Sequence, residues 1–307
     1  MSGDALVTAL DAPAVESRFL GTCNLLSDYW ALTKPEINFL ILITTFAGFY
    51  LGCANAGREF SLLALFNTLV GTLLVASGTA TLNQYIERNF DAQMRRTNRR
   101  PLAAGRLAPR GVLAFGIGLS IAGSIYLAVA AGALASLLAL FTLLSYLFVY
   151  TPLKRRTPLC VLVGALPGAM PPLIGWAAAS GRLNADAWLL FAVLFLWQFP
   201  HFMAIAWMYR EDYDRAGYLM LPQGNARFVV VILQTILPLF ALILVSTMQV
   251  SARPALAIDC VGLLLSLGLL YFGLQFVFQQ SRRAARRLLA ASIVYLPALF
   301  ALRVTFQ

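Results

Sequence analysis

Charged residues are scarce in this sequence, and the residues that usually hold metals or form disulfides are scarcer still. Only 12% of its 307 residues are charged, whereas an ordinary soluble domain has about 25%. The four cysteines lie far apart without a C-x-x-C pair, and His201 is the only histidine. These shortages argue against an ordinary soluble domain, a disulfide framework and a zinc site.

Acids are the rarer charge, with 13 acidic against 23 basic residues and a net charge of +10. In a chain that is 60% hydrophobic, this excess more often reflects basic cytoplasmic loops than binding to nucleic acid. The N-terminal segment contains several acids and no apolar core after a basic start, so it fits neither a secretory signal nor an Arg-rich transit peptide. We therefore expect a protein of the bacterial inner membrane, without a nucleic-acid partner.

Long apolar runs, in contrast, are abundant, and a helix needs about 20 apolar residues to cross a bilayer. We predict an all-α membrane protein in which residues 1–31 form a polar cytoplasmic tail and residues 32–307 a single polytopic domain. The nine predicted spans lie at roughly 37–56, 61–83, 112–132, 134–152, 159–179, 188–209, 227–249, 255–279 and 287–305.

The loops between these spans predict the orientation. If the N-terminus is cytoplasmic, the opposite side keeps only four of the 23 basic residues, and this asymmetry follows the positive-inside rule. It also explains most of the net charge without nucleic acid. The four residues on the opposite side are Arg58, Arg182, Arg253 and Arg303.

Two acidic clusters follow spans on the predicted cytoplasmic side. Asn83, Glu87 and Asp91 are spaced by four, so they share one face if the second helix continues through them. Three oxygen-bearing side chains on one face suit Mg²⁺, which takes one or two carboxylates plus waters and substrate phosphates. The alternative is a solvated helix end whose acids pair with nearby arginines. The second cluster, after the sixth span, is Glu211, Asp212 and Asp214.

Basic residues accompany both acidic clusters, and this combination favours a diphosphate site over two solvated helix ends. Carboxylates would hold Mg²⁺ while guanidinium groups bind phosphate oxygens. Arg95, one further helical turn beyond Asp91, and Arg96 are the predicted phosphate contacts. Lys154 and Arg155 would close over the same site from the fourth helix.

Two helices have unusual residues in mid-membrane. His201 lies within the sixth span, where polar groups are costly and are often functional, although a lone histidine is also often structural. Pro200 is expected to kink that helix and open a cavity beside the imidazole, where Trp197 could contact a flat aromatic ligand. The proline- and glycine-rich stretch GALPGAMPPLIGW, residues 164–176, predicts that the fifth helix is a kinked, close-packed wall.

Four segments together resemble a known family. NQYIERNFDAQMRRTNRRPL, YTPLKRRTP, GAMPPLIGW and WQFPHF followed by DYDRAGYLMLP are similar, in order, to signature segments of the protohaem IX farnesyltransferases, the haem branch of the UbiA-type intramembrane prenyltransferases. The resemblance includes LTKPEINFL and covers most of the chain from Leu32 to Pro222, whereas the C-terminal helices match only in hydropathy.

The resemblance implies a nine-helix bundle around a central cavity and a prenyltransferase domain over residues 32–307. It implies farnesyl diphosphate and haem b as substrates, haem O and diphosphate as products, Mg²⁺ as cofactor, and haem A synthase or oxidase assembly factors as partners. The site would face the cytoplasm, and His201 and Trp197 would bind haem, with the histidine as iron ligand or as base. The metal-binding and catalytic residues carried over from the motifs are Asn83, Glu87, Asp91 and Asp212.

The chain departs from the superfamily pattern at two places. Glu87 replaces an aspartate in the first motif, and Ala216 stands where the second motif D-x-x-x-D has its last aspartate. Two other functions remain as alternatives. One is prenyl transfer to another acceptor, such as a quinone precursor. The other is transport of haem or a lipid diphosphate, although transporters tend to place ionisable groups near the bilayer midplane.

Overall fold

The computed structural model describes residues 24–222, 225–248 and 256–305. These residues form helices and no strand, and nine of their helices are long and apolar enough to cross a membrane. The prediction of nine spans is therefore confirmed for a multi-pass membrane protein. The nine helices are α1 (Pro35–Asn55), α2 (Leu62–Asp91), α3 (Pro109–Ala130), α4 (Ala133–Leu153), α5 (Cys160–Ser180), α6 (Ala185–Met208), α7 (Asn225–Thr247), α8 (Leu256–Gln279) and α9 (Arg282–Thr305).

The predicted division into a tail and one domain stays a prediction, because most of residues 1–31 lie outside the described part. Residues 24–32 form a short helix that is tied to the α2–α3 connection. There Asp28 accepts hydrogen bonds from the Arg106 guanidinium at 2.9 Å.

Helix α2 continues beyond its apolar stretch, and the additional turns carry the first acidic cluster. Ser61 caps its N-terminus by accepting a hydrogen bond from the Ala64 backbone N–H at 3.3 Å. The helix then continues for 30 residues, eight beyond the predicted end at Asn83, and stops at Asp91. The condition set for Asn83, Glu87 and Asp91 is therefore met, and these polar residues, spaced by four, share one face of α2.

Helix α4 begins after a tight turn and changes its winding before it reaches the site. Gly132, at φ 107°, occupies backbone space that other residues rarely adopt, and it separates α3 from α4. Residues Ser145–Tyr150 form a π-helical segment, a feature that is common at functional sites. Thr151 follows it and donates its hydroxyl to the Tyr146 carbonyl at 2.8 Å.

Helix α5 is a buried wall, as its proline- and glycine-rich sequence predicts. It consists of two helical segments, Cys160–Gly168 and Pro171–Ser180, that meet at a break. Glycines let the second segment touch α1, because a Cβ on Gly175 would lie 2.0 Å from the Thr45 carbonyl oxygen. Because there is no space for a side-chain atom between Gly175 and Thr45, the backbones of α5 and α1 are in direct contact.

Antiparallel helices bring the connections into two groups. The α2–α3, α4–α5, α6–α7 and α8–α9 connections share one end with the start of α1, which we call the site end. Two contacts join separate segments there. Lys34 Nζ donates to Asn83 Oδ1, and the Leu219 backbone N–H donates to the Lys154 carbonyl at 2.8 Å. At the other end, Arg58 donates to the Ala179 carbonyl.

Candidate active site

The last turns of α2 carry three buried polar side chains at the site end. Asn83, Glu87 and Asp91 have relative exposures of 1%, 6% and 1%. An isolated carboxylate is costly to bury, so partners must be near. The arrangement is therefore a packed polar site, which argues against the alternative of a solvated helix end.

Glu87, Asp91 and Asp212 each form an ion pair. Glu87 Oε1 accepts from Lys154 Nζ at 2.8 Å, which joins α2 to the end of α4. Asp91 Oδ2 accepts from Arg100 Nη1 at 2.7 Å. In the second acidic cluster, Asp212 Oδ1 pairs with Arg215 on the same short helix, Arg210–Arg215.

Glu87 is where the two acidic segments meet. The Tyr218 hydroxyl, from the chain that follows α6, donates to Glu87 Oε1 at 3.0 Å. Burial, followed by the Glu87 carboxylate, raises the pKa of Tyr218 above its ordinary value, so the phenol stays protonated and remains a donor. The pKa of Lys154 is also raised, because Tyr150 and Glu87 together outweigh the opposing effect of burial.

Lys34 adds a second ammonium group, on a half-buried side chain, beside α2. Its Nζ donates to Asn83 Oδ1 at 3.2 Å, and Asn83 Nδ2 donates in turn to Thr151 Oγ1. Burial and repulsion from Arg100 lower the pKa of Lys34 to about 7, although Glu87 partly offsets this. Lys34 is left-handed at φ 53° just before α1, an uncommon conformation for a side chain other than glycine.

The carboxylates have one oxygen each to spare. Among the described residues, Glu87 Oε2, Asp91 Oδ1 and Asp212 Oδ2 make no hydrogen bond, and none is among the unpaired atoms that are closed to solvent. Hard carboxylate oxygens of this kind fit Mg²⁺, which needs only one or two from the protein. No three acidic, histidine or cysteine side chains of the described part are grouped closely enough to hold a metal by themselves. Substrate oxygens would therefore have to complete the coordination.

The predicted phosphate-binding residues do not all contact other residues of the site. Arg155 lies over the Phe90 ring, 4.3 Å from its centroid. Arg96 lies 5.1 Å from the Tyr209 ring and donates to the Tyr213 hydroxyl at 3.3 Å, which joins the two acidic segments.

The predicted position of Arg95 is wrong. Because α2 ends at Asp91, there is no further helical turn to bring Arg95 onto its face, and Arg95 is exposed. Arg100, which the sequence reasoning did not single out, takes the position next to Asp91.

Two cavities adjoin these charges. The outer cavity, of about 440 Å³, is lined by Glu87, Phe90, Arg155 and Tyr218 among others. The inner cavity, of about 310 Å³, runs into the bundle between α1, α2, α4, α5 and α6. Its lining is mainly apolar, and Lys34 stands at its polar end. A charged mouth and an apolar interior suit an amphipathic ligand.

His201 and Trp197 lie outside both cavities. They are on the side of α6 that packs against α9, where His201 Nδ1 is 2.9 Å from Ser292 Oγ. Gln198 and Phe202 are the α6 residues that line the inner cavity. Helix α6 runs through Pro200 without interruption. The haem-binding role of the two residues stays a prediction.

Sequence reasoning missed Lys34, Arg100, Thr151 and Tyr218 as site residues. All four were within the quoted family segments, so their positions in LTKPE, RRPL, YTPLK and AGYLM were the available signal.

Comparison with known proteins agrees with the sequence resemblance. The UbiA prenyltransferase family matches residues 41–296. The Protoheme IX farnesyltransferase of Solibacter usitatus is 47% identical over 282 residues, which cover 90% of this chain and 97% of that protein. The protein of the same name from Koribacter versatilis is 41% identical, covering 92% and 93% of the two chains.

Solved structures share the fold at low sequence identity. A digeranylgeranylglyceryl phosphate synthase has a TM-score of 0.72 with 15% identity and covers 91% of this chain and 97% of its own. A UbiA homologue from Aeropyrum pernix has a TM-score of 0.61 with 18% identity, covering 85% and 96%. With a family match over most of its length and relatives above 40% identity, the chain belongs to the UbiA prenyltransferase family.

Proposed function

We propose that this enzyme transfers the farnesyl group of farnesyl diphosphate to a vinyl group of haem b, giving haem O and diphosphate. The observation that carries the proposal is the group of buried, paired acids and bases at the mouth of an apolar cavity. The relatives named Protoheme IX farnesyltransferase, at 47% and 41% identity over almost the whole chain, support haem b as the acceptor. Haem O would then be used for the synthesis of haem A and for the assembly of terminal oxidases.

The basic residues of the site end would bind the diphosphate. Arg155 lines the outer cavity from the end of α4, Lys154 pairs with the cavity residue Glu87, and Arg96 approaches from the α2–α3 connection. Hydrogen bonds between charged groups and phosphate oxygens are among the strongest available to a protein. The farnesyl chain would fill the inner cavity between α1, α2, α4, α5 and α6.

Magnesium would be held by Glu87, Asp91 and Asp212 through the oxygens that their ion pairs leave open, with Asn83 beside them. When bound, the ion would supply positive charge that stabilises the departing diphosphate. Magnesium is present in a structural neighbour, a UbiA homologue from Archaeoglobus fulgidus bound to GPP and Mg²⁺, which at 14% identity has a TM-score of 0.54.

The protein's own residues would then assist bond cleavage and protect the cation. The bond between farnesyl C1 and the diphosphate oxygen breaks, and its electron pair leaves with the diphosphate, which Lys154 and Arg155 neutralise. Apolar side chains of the inner cavity keep water from the allylic cation. A vinyl group of haem attacks this cation, water adds to the resulting haem-side cation, and one proton is released.

The protein would act in the bacterial inner membrane with its N-terminus and site end in the cytoplasm. The distribution of basic residues supports this orientation, since most of them belong to the site end. Haem A synthase or oxidase assembly factors would take the product.

The test is to incubate the purified protein with farnesyl diphosphate, Mg²⁺ and either haem b or an aromatic acid, and to identify products by mass. We expect haem O from haem b only. A prenylated aromatic acid would indicate a quinone-type acceptor. Absence of both products, with haem or lipid diphosphate moving across vesicle membranes, would indicate the transporter alternative.

A further inference from the structure

Gln198, in the middle of α6, has a side-chain amide whose orientation is fixed by its neighbours. The side chain is buried, with a relative exposure of 4%. Its Nε2 donates to the Ala165 carbonyl on α5 and to the Leu194 carbonyl on α6, both at 3.1 Å. Carbonyl oxygens only accept hydrogen bonds, so exchanging the amide nitrogen and oxygen would bring three acceptors together. The nitrogen therefore stays between the two carbonyls, and both of its hydrogens are used.

The amide oxygen of Gln198, in contrast, has no donor. Within the described part of the chain no group donates to Oε1, and this atom is not among the unpaired atoms that are closed to solvent. Gly168, which also lines the inner cavity, leaves room for it, because a Cβ on that glycine would lie 1.9 Å from Oε1. A buried amide oxygen without a donor is costly, so Oε1 is an open acceptor at the wall of a mainly apolar cavity.

A short series of contacts places Gln198 near the polar end of the inner cavity. Tyr150 immediately precedes the residue to which Asn83 donates. Its ring packs closely against α5, because a Cβ on Gly164 would lie 2.5 Å from it. Gln198 binds the carbonyl of the next residue, Ala165. Oε1 therefore lies close to the level at which C1 of farnesyl diphosphate would lie when its diphosphate is bound at the site end.

Two phenol groups line the same cavity. The hydroxyls of Tyr146 and Tyr150 make no hydrogen bond with the described residues, and neither is among the unpaired atoms that are closed to solvent. A buried water molecule needs several polar partners, and a phenol can both donate to it and accept from it. The lining thus combines one fixed acceptor, at Gln198, with hydroxyls that can serve as further partners of a water molecule.

Among the reactants of the proposed function, water is the one that suits an open acceptor. The farnesyl chain and the haem vinyl groups are hydrocarbon, and the ionised haem propionates only accept hydrogen bonds. A water molecule that donates one hydrogen to Gln198 Oε1 still has its lone pairs, so it remains able to attack a cation.

We propose that Gln198 Oε1 holds and orients the water molecule that hydroxylates the prenylated haem. The proposal rests on the proposed function. The π electrons of the vinyl group form the bond to farnesyl C1, and this leaves a cation on the vinyl carbon next to the porphyrin. A lone pair of the water forms the C–O bond, and one proton of that water passes to the diphosphate product, because a neutral amide does not keep it. A water fixed at Gln198 adds before the cation loses a proton from the neighbouring CH₂ group and becomes an alkene.

The test is Gln198→Met in the full-length protein, which keeps the length of the side chain and replaces the amide by a weak acceptor. The Ala165 carbonyl keeps its backbone partner, the Ala169 N–H, so the variant should stay folded. The purified protein is incubated with farnesyl diphosphate, Mg²⁺ and haem b, and the products are identified by mass. Water addition should slow about 10- to 100-fold, as is typical of a misplaced reactant. The main product should then be the alkene, which is lighter than haem O by one water, while diphosphate release stays near the wild-type rate.

Two further variants separate this role from a structural one, which would lower total product without changing its composition. Gln234→Met is the matched control, since Gln234 on α7 donates to the Pro158 carbonyl at 3.3 Å and lies outside both cavities. Its product should be haem O, as in the wild type. Gln198→Glu keeps an acceptor oxygen on a side chain of equal length and should restore the hydroxylated product.

Haem O as the sole product of Gln198→Met, formed at the wild-type rate, would overturn the proposal. Loss of every product from a variant with the wild-type unfolding temperature would also overturn it, because Gln198 would then act before water addition. In both cases a wild type that makes haem O leaves the proposed function intact. A wild type that prenylates an aromatic acid and not haem b would overturn the proposed function and, with it, the role of the water.

Discussion

Asp91 and Asp28 each pair with an arginine, but only Asp91 does so inside the site. Asp91 is buried beside Asn83 and Glu87, whereas the Asp28–Arg106 pair is at the surface of the α2–α3 connection. Both pairs join an aspartate to an arginine, so it is burial within the site that distinguishes the functional carboxylate of Asp91 from the structural carboxylate of Asp28. A surface pair typically contributes about 0–1 kcal/mol to stability.

We expect Asp91→Ala to lower haem O synthesis about 100-fold or more, because it removes a carboxylate from the site and leaves Arg100 without its partner. Asp28→Ala should keep near-normal activity. Product formation is measured by mass with equal amounts of membrane-inserted protein. Near-normal activity in Asp91→Ala would contradict the proposed role of the first acidic cluster.

Tyr218→Phe tests the contact between the two acidic segments. The variant deletes one of the two donors to Glu87 Oε1, and a hydrogen bond to a charged group is worth about 1.5–3 kcal/mol, so kcat/KM should fall about 10- to 150-fold. Tyr126→Phe is the control, since its hydroxyl donates to Asn67 on α2, outside both cavities. Equal kinetics in the two variants would show that Tyr218 has no functional role.

At the scale of helices, the contact between α1 and α5 limits what the bundle tolerates. A Cβ on Gly175 would overlap the Thr45 carbonyl oxygen, while one on Gly118 in α3 would meet nothing within 4 Å. Both glycines are in helices, where alanine is intrinsically favoured by about 1 kcal/mol. Only steric room distinguishes them.

Gly175→Ala should therefore destabilise the protein by about 1–3 kcal/mol or more, because backbone atoms have to move apart. Gly118→Ala should leave stability unchanged or slightly higher. The measurement is the unfolding temperature in detergent, where we expect a loss of several degrees for Gly175→Ala alone. Equal unfolding temperatures would mean that the two helices separate easily.

At the scale of the whole molecule, the helix count followed from the sequence because bilayer thickness sets the length of an apolar run. The bounds agree within three residues except at the end of α2, whose polar last turns have no apolar signal, and at the start of α9, which lies five residues earlier than predicted, at Arg282. The identity of the ion pairs could not be predicted. Glu87 contacts Lys154 and Tyr218 only because three separate segments pack at one end, and helical spacing does not say which neighbour a face will meet.

The orientation of the chain across the membrane is a prediction that thiol labelling can test. In a variant without native cysteines, Glu59→Cys in the α1–α2 connection should react with an impermeant thiol reagent on intact cells. Arg99→Cys at the site end should react only after the cells are opened. The reverse pattern would place the site end outside and contradict the positive-inside prediction.

The glycine-lined junction of α1 and α5 also determines where large molecules can enter. Where Gly48 and Gly175 bring two backbones together, no gap can widen without pulling these backbones apart. A flat, bulky acceptor and a long prenyl chain must consequently pass through some other boundary between helices. The junction of α1 and α5 therefore stays closed, and the entry route for these two substrates lies between other helices.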